Sequence, residues 1–225
     1  MPEYGLPHLR LFCFLRFFMI DSLIFDVDGT IWDTTPVVEK AWNAALDECG
    51  LSYAHITADI LKSLFGLPMD TIIERILPNE NDDVRKTFKP LCYSYEEAYV
   101  EKESGILYGG IGETLKTLAA KFPLFIVSNC QSGYIELLLK KTGFAPFFKD
   151  FTCNGDTGLL KDENIKLIAK RNSLKSPVYV GDTQGDADAC AKAGVPIVYA
   201  SYGFGKISSP DYTITKPKDL LKLFC

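Results

Sequence analysis

Two kinds of hydrophobic pattern divide the chain. From Leu107 onward, short apolar runs alternate with stretches of helical spacing. Leu124–Ser128, Phe151–Cys153, Val178–Val180 and Pro196–Ala200 read as strands. Ser132–Thr142, Lys161–Arg171, Gln184–Ala193 and Pro217–Phe224 read as helices, with Gly143 and Gly194 as stop signals. Ser22–Val27 is one more apolar run with the character of a buried strand. Strands alternating with helices imply parallel βαβ units, and hence an α/β fold with a doubly wound parallel sheet.

The stretch from Thr34 to Ser104 lacks β-branched runs. Val37–Cys49 carries apolar residues at 37, 38, 41, 42, 45 and 46, a helical face with Pro36 near its first turn and Gly50 after its end. Ile60–Phe65, Thr71–Leu77 and Val84–Val100 also read as helices, separated by Gly66-Leu67-Pro68 and Pro78-Asn79. The expected organisation is therefore a core built from 19–33 and 105–225, with an all-helical cap, 34–104, inserted after the first strand. Such an insert at the ligand-binding edge of a sheet is well placed to act as a lid. Gly109-Gly-Ile-Gly112 has part of a dinucleotide fingerprint, but position 115 is Leu; it reads as the return from the insert.

At 225 residues the chain holds one ordinary domain, or a core with a smaller insert. A net charge of −5 argues against broad nucleic-acid or anionic-membrane binding. Seven cysteines, at 13, 49, 92, 130, 153, 190 and 225, are odd in number and widely spaced, which suits free thiols in a reducing cytoplasm. His8 and His55 stand in contexts that suggest no site. Leu11–Ile20 is apolar but interrupted by Arg16, too short to span a membrane and without an Ala-x-Ala site. Residues 1–18 read as an extension outside the fold, Met19 being able to start a complete domain, in preference to a targeting segment.

The apolar run from Ser22 breaks at Asp26 and Asp28, followed by Gly29 and Thr30. Two carboxylates at the end of a buried strand are costly unless compensated, and the carboxyl end of a strand is where open α/β sheets bind ligands. A second acidic loop, Gly181-Asp182-Thr183-Gln184-Gly185-Asp186, follows the strand at 178–180. Each pair alone also reads as a turn or a helix cap. If both strands lie in one parallel sheet, Asp26, Asp28, Asp182 and Asp186 converge at one edge and call for a hard divalent cation; Mg²⁺ takes one or two carboxylates and a substrate phosphate. Ser128 and Asn129 close another strand and could donate to a phosphoryl oxygen, and Lys161 at a helix start could offset the carboxylates. Singly, Ser128 also reads as a cap and Lys161 as a solvated lysine.

Asp26-Val-Asp28-Gly-Thr30, Ser128-Asn129, Lys161 and Gly181-Asp182-Thr183-Gln-Gly-Asp186 resemble the four ordered motifs of the haloacid dehalogenase superfamily, over residues 21 to about 205. The insert resembles the cap of the phosphoglycolate-phosphatase and β-phosphoglucomutase-like group. Where many relatives follow the lysine with prolines, this chain has Lys161-Asp-Glu-Asn, which leaves Lys166 as a second candidate.

The resemblance implies a Rossmann-like core and a Mg²⁺-dependent phosphatase. Asp26 would be the nucleophile forming an aspartyl-phosphate, and Asp28 the general acid and then base. Asp26, the Asp28 carbonyl and Asp182 would hold the metal, with Asp186 a ligand or a partner behind it. Ser128 and Lys161 would stabilise the phosphoryl group, and Thr30 would hold the first loop. The implied substrate is a small phosphate ester, 2-phosphoglycolate being the family-level expectation, and the implied state a monomer or homodimer. A sugar-phosphate mutase and a non-catalytic binding domain are the rivals. The aromatics Trp42, Tyr93, Tyr95 and Tyr99 are expected mainly in the cap core. Trp32 and Asp33 are candidates to face substrate, as is Gly66 in the cap loop, which has no basic residue beyond nearby Lys62.

Overall fold

The structure, a computed structural model, describes residues 20–225; the N-terminal extension expected at 1–18, with Cys13 and His8, lies outside the described residues. Six parallel strands form the main sheet. In chain order they are β1 (Ser22–Phe25), β4 (Leu124–Ser128), β5 (Phe148–Cys153), β6 (Pro177–Gly181), β7 (Ile197–Ala200) and β8 (Tyr212–Ile214). Their spatial order is β5-β4-β1-β6-β7-β8. β1 is central, paired in parallel with β4 on one side and β6 on the other. The chain switches direction across the sheet there, and the ends of β1, β4 and β6 open onto one crevice.

Residues alternate between two cores, as the two-residue period of a strand demands. Leu23, Phe25, Leu124, Ile126, Val178 and Val180 face one side, where the core runs on into the helical insertion and into α5 (Ile111–Ala119), α6 (Tyr134–Thr142) and α10 (Asp219–Phe224). Ile24, Phe125, Val127 and Tyr179 face the other, against α8 (Lys161–Arg171) and α9 (Gln184–Ala193). With both faces covered, β1 and β4 are buried along their whole length, which explains their continuous apolar runs.

Between β1 and β4 the chain leaves through β2 (Trp32–Asp33) and returns through β3 (Ile106–Leu107), an antiparallel two-stranded ribbon. The residues between form four helices: α1 (Thr35–Glu48), α2 (Ala58–Leu64), α3 (Met69–Ile76) and α4 (Asp82–Glu103). α1 and α4 pack along each other and carry the insertion's core, including Val38, Trp42, Leu46, Phe88, Cys92 and Val100. Gly109 and Gly110 form the turn from β3 into α5.

Several element boundaries differ from the sequence expectation. β5 starts at Phe148 rather than at 151. α6 starts at Tyr134 rather than Ser132, because Gly133 adopts a left-handed conformation before the first turn. The four-residue α7 (Asn154–Thr157) and the two- or three-residue strands β2, β3 and β8 are too short to leave a periodic signal. The six described cysteines, at 49, 92, 130, 153, 190 and 225, are free thiols. No helix among the described residues is long and apolar enough to cross a membrane.

Candidate active site

Asp26 follows β1 directly, and its N–H donates to Val180 O at 2.9 Å, carrying the β1–β6 pairing one step past the strand. The chain then turns through Gly29, at φ +80°. A Cβ at Gly29 would overlap the Asp182 carboxylate, so the two acidic loops touch only because this residue is glycine. Thr30 is fully buried; its hydroxyl has no partner among the described residues, and its carbonyl accepts from the Tyr202 hydroxyl at 3.0 Å. It therefore belongs to the support of the loop.

β6 delivers Gly181 and Asp182. Asp182 Oδ2 accepts from the Phe204 N–H at 2.7 Å, while its Oδ1 is buried without a hydrogen-bond partner. Asp186, in the first turn of α9, closes a capping box with Thr183. Its Oδ2 accepts from the N–H of Asp182 and from the N–H and hydroxyl of Thr183, at 3.2, 2.9 and 2.8 Å. Its Oδ1 accepts from Lys161 Nζ at 2.6 Å. With both oxygens so engaged, Asp186 is shaped to brace the site from behind.

Lys161 is buried at the start of α8, with Nζ also 3.1 Å from Asp26 Oδ1. That second contact is an ion pair without hydrogen-bond alignment, and Asp26 Oδ1 has no aligned donor. Burial alone would favour the neutral amine, but Asp186 and Asp26 outweigh it and hold the ammonium above its ordinary range. Lys166, the other candidate, is half exposed and pairs with Asp162 at 3.2 Å, one turn away on the same helix. The structure brings Lys161, not Lys166, to the carboxylates.

Asp26, Asp182 and Asp186 present oxygens within 4.8 Å of one another. Three carboxylates against the single cation Lys161 leave an excess of two negative charges if all are ionised. Burial, reinforced by the charges of Asp186 and Asp26, pushes Asp182 well above the usual carboxylate range. Burial likewise lifts Asp26 to about 6, against the opposing pull of Lys161. A hard, all-oxygen donor set, with Asp182 Oδ1 buried without a hydrogen-bond partner and up to two negative charges that Lys161 leaves unbalanced, fits Mg²⁺.

Asp28, with Asp26, lines a cavity of about 50 Å³ between the sheet edge and the insertion. Its Oδ1 accepts from the hydroxyls of Thr34 and Tyr134, both at 2.8 Å, and those two oxygens are 2.9 Å apart. Thr34 stands at the N-cap of α1 yet makes no cap bond. Asp33 does that work instead, its Oδ1 accepting from Thr35 N at 2.9 Å and Thr35 Oγ1 at 2.6 Å. Burial lifts the Asp28 carboxyl to about 8 against these two hydrogen bonds, with smaller pushes from the charges of Glu96 and Asp26.

The cavity wall includes Ser128, Asn129, Gln131 and Tyr134 from the core, and Trp42, Phe65, Gly66, Leu67, Met69, Ile72 and Glu96 from the insertion. Asn129 Nδ2 donates to Gly66 O at 2.7 Å. Gly66 meets this bond at φ +92°, with the Thr183 side chain directly behind it. Gln131 Nε2 and Trp42 Nε1 donate to the two oxygens of Glu96, at 2.9 and 3.0 Å. The Asn129–Gly66 and Gln131–Glu96 bonds, with the Phe65–Phe204 ring contact, fasten the insertion over the site, and the Trp42 bond ties Glu96 to α1 within it.

Two expected substrate-facing residues sit elsewhere. Trp32, the first residue of β2, is fully buried and packs edge-on against the Tyr134 ring, its large apolar surface drawn into the core although its Nε1 finds no partner among the described residues. Asp33 caps α1 and pairs with Lys62 at 3.7 Å. Four wall residues escaped the sequence reading or its assignment to the site: Tyr134, Glu96, Gln131 and Trp42. Only Glu96 left a signal. It continues the Phe88, Cys92, Val100 stripe at four-residue spacing, where the helix otherwise buries apolar side chains.

Comparison with known proteins supports the same assignment. A family model described as haloacid dehalogenase-like hydrolase matches residues 23–200. A phosphoglycolate phosphatase of Aquifex aeolicus is 27% identical over 210 residues, covering 89% of this chain and 95% of that protein. Another from Escherichia coli O157:H7 is 28% identical over 236 residues, covering 92% and 93%. Among solved structures, a haloacid dehalogenase-like family hydrolase from Streptococcus pneumoniae superposes with a TM-score of 0.81 at 21% identity, over 92% of this chain and 99% of that one. A predicted phosphoglycolate phosphatase from Haemophilus somnus gives 0.80 at 23% identity, over 91% and 97%. With a family match running from β1 to the end of β7 and a fold shared along the whole described chain, the protein belongs to the haloacid dehalogenase-like hydrolases.

Proposed function

We propose that this hydrolase is a Mg²⁺-dependent phosphatase, phosphoglycolate-phosphatase-like in its machinery, acting on a small phosphomonoester through an aspartyl-phosphate at Asp26. The observation that carries the reading is the division of labour between two neighbouring carboxyls. Both line the cavity, but Asp26 is paired with Lys161 beside the acidic pair, whereas Asp28, two residues on, is bonded by neutral hydroxyls.

In this mechanism a carboxylate oxygen of Asp26 attacks phosphorus in line, forming the O–P bond as the bond to the alcohol oxygen breaks. Asp28, protonated near neutrality, donates its proton to the leaving oxygen. The resulting Asp28 carboxylate then takes a proton from water, which attacks phosphorus and releases phosphate and free Asp26. Lys161 and Ser128 stabilise charge on the transferring group. Asp26, Asp182 and the Asp28 carbonyl would hold Mg²⁺, with Asp186 behind them; when bound, the ion neutralises phosphoryl charge. The helical insertion serves as a cap whose closure excludes bulk water. The wall lacks the second cationic clamp suited to a bisphosphate, which favours hydrolysis over mutase chemistry.

Purified protein should hydrolyse a generic aryl phosphate, with 2-phosphoglycolate, the ester named for the curated relatives, as a reference substrate. EDTA and Asp26→Asn should each abolish turnover. Robust activity in the Asp26→Asn variant would remove Asp26 as the nucleophile.

A further inference from the structure

Resting on the phosphatase reading, the cavity wall says which alcohols the site will release. Its side-chain donors are largely engaged, although the Asn129 and Gln131 amides each use only one of their two N–H groups. Trp42 Nε1 and Gln131 Nε2 both donate to Glu96, Asn129 Nδ2 donates to Gly66 O, and the Tyr134 hydroxyl donates to Asp28. Two of its acceptors are open as well. Asn129 Oδ1 is buried without a partner, in an amide orientation fixed by the bond from its nitrogen to Gly66. Each Glu96 oxygen accepts one bond, leaving about half of the lone-pair positions of a carboxylate free. No lysine, arginine or histidine is among the described residues lining the cavity; Asp26, Ser128 and Cys130 complete its floor, and its apolar side chains are Phe65, Leu67, Met69 and Ile72. The adjoining cavity of about 650 Å³, which shares Met69, Gln131 and Tyr134, has one cation, Lys89, already paired with Asp70 at 2.6 Å and accompanied by Glu97.

A ligand must supply what a wall lacks, since an unmatched buried polar group costs more than a made hydrogen bond returns. We infer that the preferred ester is a phosphate of a small alcohol that bears a hydroxyl or ammonium donor and no second anion, with Glu96 as its specificity-determining residue. A carboxylate on the alcohol, as in 2-phosphoglycolate, would meet the Glu96 carboxyl and Asn129 Oδ1 with no cation to offset it. Burial lifts Glu96 to about 7, the behaviour of an acceptor whose two hydrogen bonds do not fully compensate its charge. A donor from the ligand would complete that compensation. The cavity's small volume in this closed arrangement sets the scale of the alcohol at a few heavy atoms near the phosphoryl group.

The test compares kcat/KM for four esters that differ in the alcohol: glycerol phosphate, phosphoethanolamine, ethyl phosphate and 2-phosphoglycolate. An aryl phosphate reports the chemistry itself. The wild-type protein should favour glycerol phosphate or phosphoethanolamine over 2-phosphoglycolate by at least about tenfold, with ethyl phosphate between. Which of the first two leads separates a hydroxyl donor from an ammonium. Glu96→Gln should narrow the gap between the best donor ester and 2-phosphoglycolate by about tenfold, mainly through KM. Gln131 can turn its amide to accept from the new side chain, so the wall need not come apart. Each ratio is taken within one protein, and a general loss of activity does not enter it. A wild-type preference for 2-phosphoglycolate would overturn the inference even if the variant failed to fold, as would an unchanged ratio in a folded variant. Hydrolysis of none of the esters, the aryl phosphate included, would overturn the phosphatase reading and the substrate class with it.

Discussion

The two sides of the Asp26–Asp28 turn solve the same electrostatic problem differently. On the sheet side, Asp26, Asp182 and Asp186 crowd within reach of one another around one buried lysine. On the insertion side, Glu96 is as deeply buried and Asp28 partly so, and both meet only neutral donors: Thr34, Tyr134, Trp42 and Gln131. Buried charge is stable only when matched. The first side calls for a cation from outside. The second meets its carboxyls with neutral hydrogen bonds alone, and burial lifts Asp28 to about 8 and Glu96 to about 7. In the proposed mechanism a phosphoryl acceptor and a proton donor thus stand two residues apart in one loop, one beside a lysine and the other among neutral hydroxyls.

The contrast breaks most sharply at Asp28. Asp28→Asn removes the proton donor and should lower kcat for alkyl phosphates by about 10²–10⁴-fold. The loss should be smaller for an aryl phosphate, whose leaving group needs less protonation. Equal losses on both ester types, measured by steady-state kinetics, would count against the general-acid role.

The pH profile sharpens the same point. Asp28 acts in its protonated form, so kcat/KM should fall as pH rises through about 8. The hydrogen bond from Tyr134 lowers that value, so Tyr134→Phe should move the alkaline limb upward by roughly one pH unit, the worth of about 1.4 kcal/mol. A limb that stays in place would make Tyr134 a packing residue only.

The smallest effect is on stability. Glu96 ordinarily titrates near 4.5 and in the native protein near 7. Between these values the native state keeps a proton that the unfolded chain has released, so stability falls as pH rises across the window and stays lower above it. Glu96→Gln should remove this loss. Its melting temperature should exceed the wild type's at pH 8, by the equivalent of about 1–3 kcal/mol, and the two should converge near pH 4.5. A constant difference across that range would show that the charge of Glu96 is not what destabilises the site.

The sheet side was legible in the sequence and the insertion side largely was not, for a physical reason. Asp26 and Asp182 each end an apolar run, and a carboxylate there contradicts its local surroundings strongly enough to be seen without a structure. Ser128 and Lys161 were weaker signals that gained meaning only from the order of the motifs. Tyr134 and Gln131 lie on and before an ordinary amphipathic helix, and their relation to Asp28 and Glu96 exists only after the insertion folds back. Glu96 was readable in principle, as a charge on the stripe of Phe88, Cys92 and Val100, although a long helix with a net polar composition masks one such position. Trp32 and Asp33 show the opposite error. Closeness in sequence to the catalytic loop suggested contact with substrate, whereas core packing and helix capping claimed both side chains.

The central claim, that Asp26 carries the phosphoryl group, is tested most directly by acid-quenching a single turnover of ³²P-labelled ester and mapping the label on the protein. The account predicts label on the peptide that contains Asp26, released by hydroxylamine as an acyl phosphate is, and absent from the Asp26→Asn variant. Turnover with no protein-bound label at any quench time, or label on another residue, would contradict it.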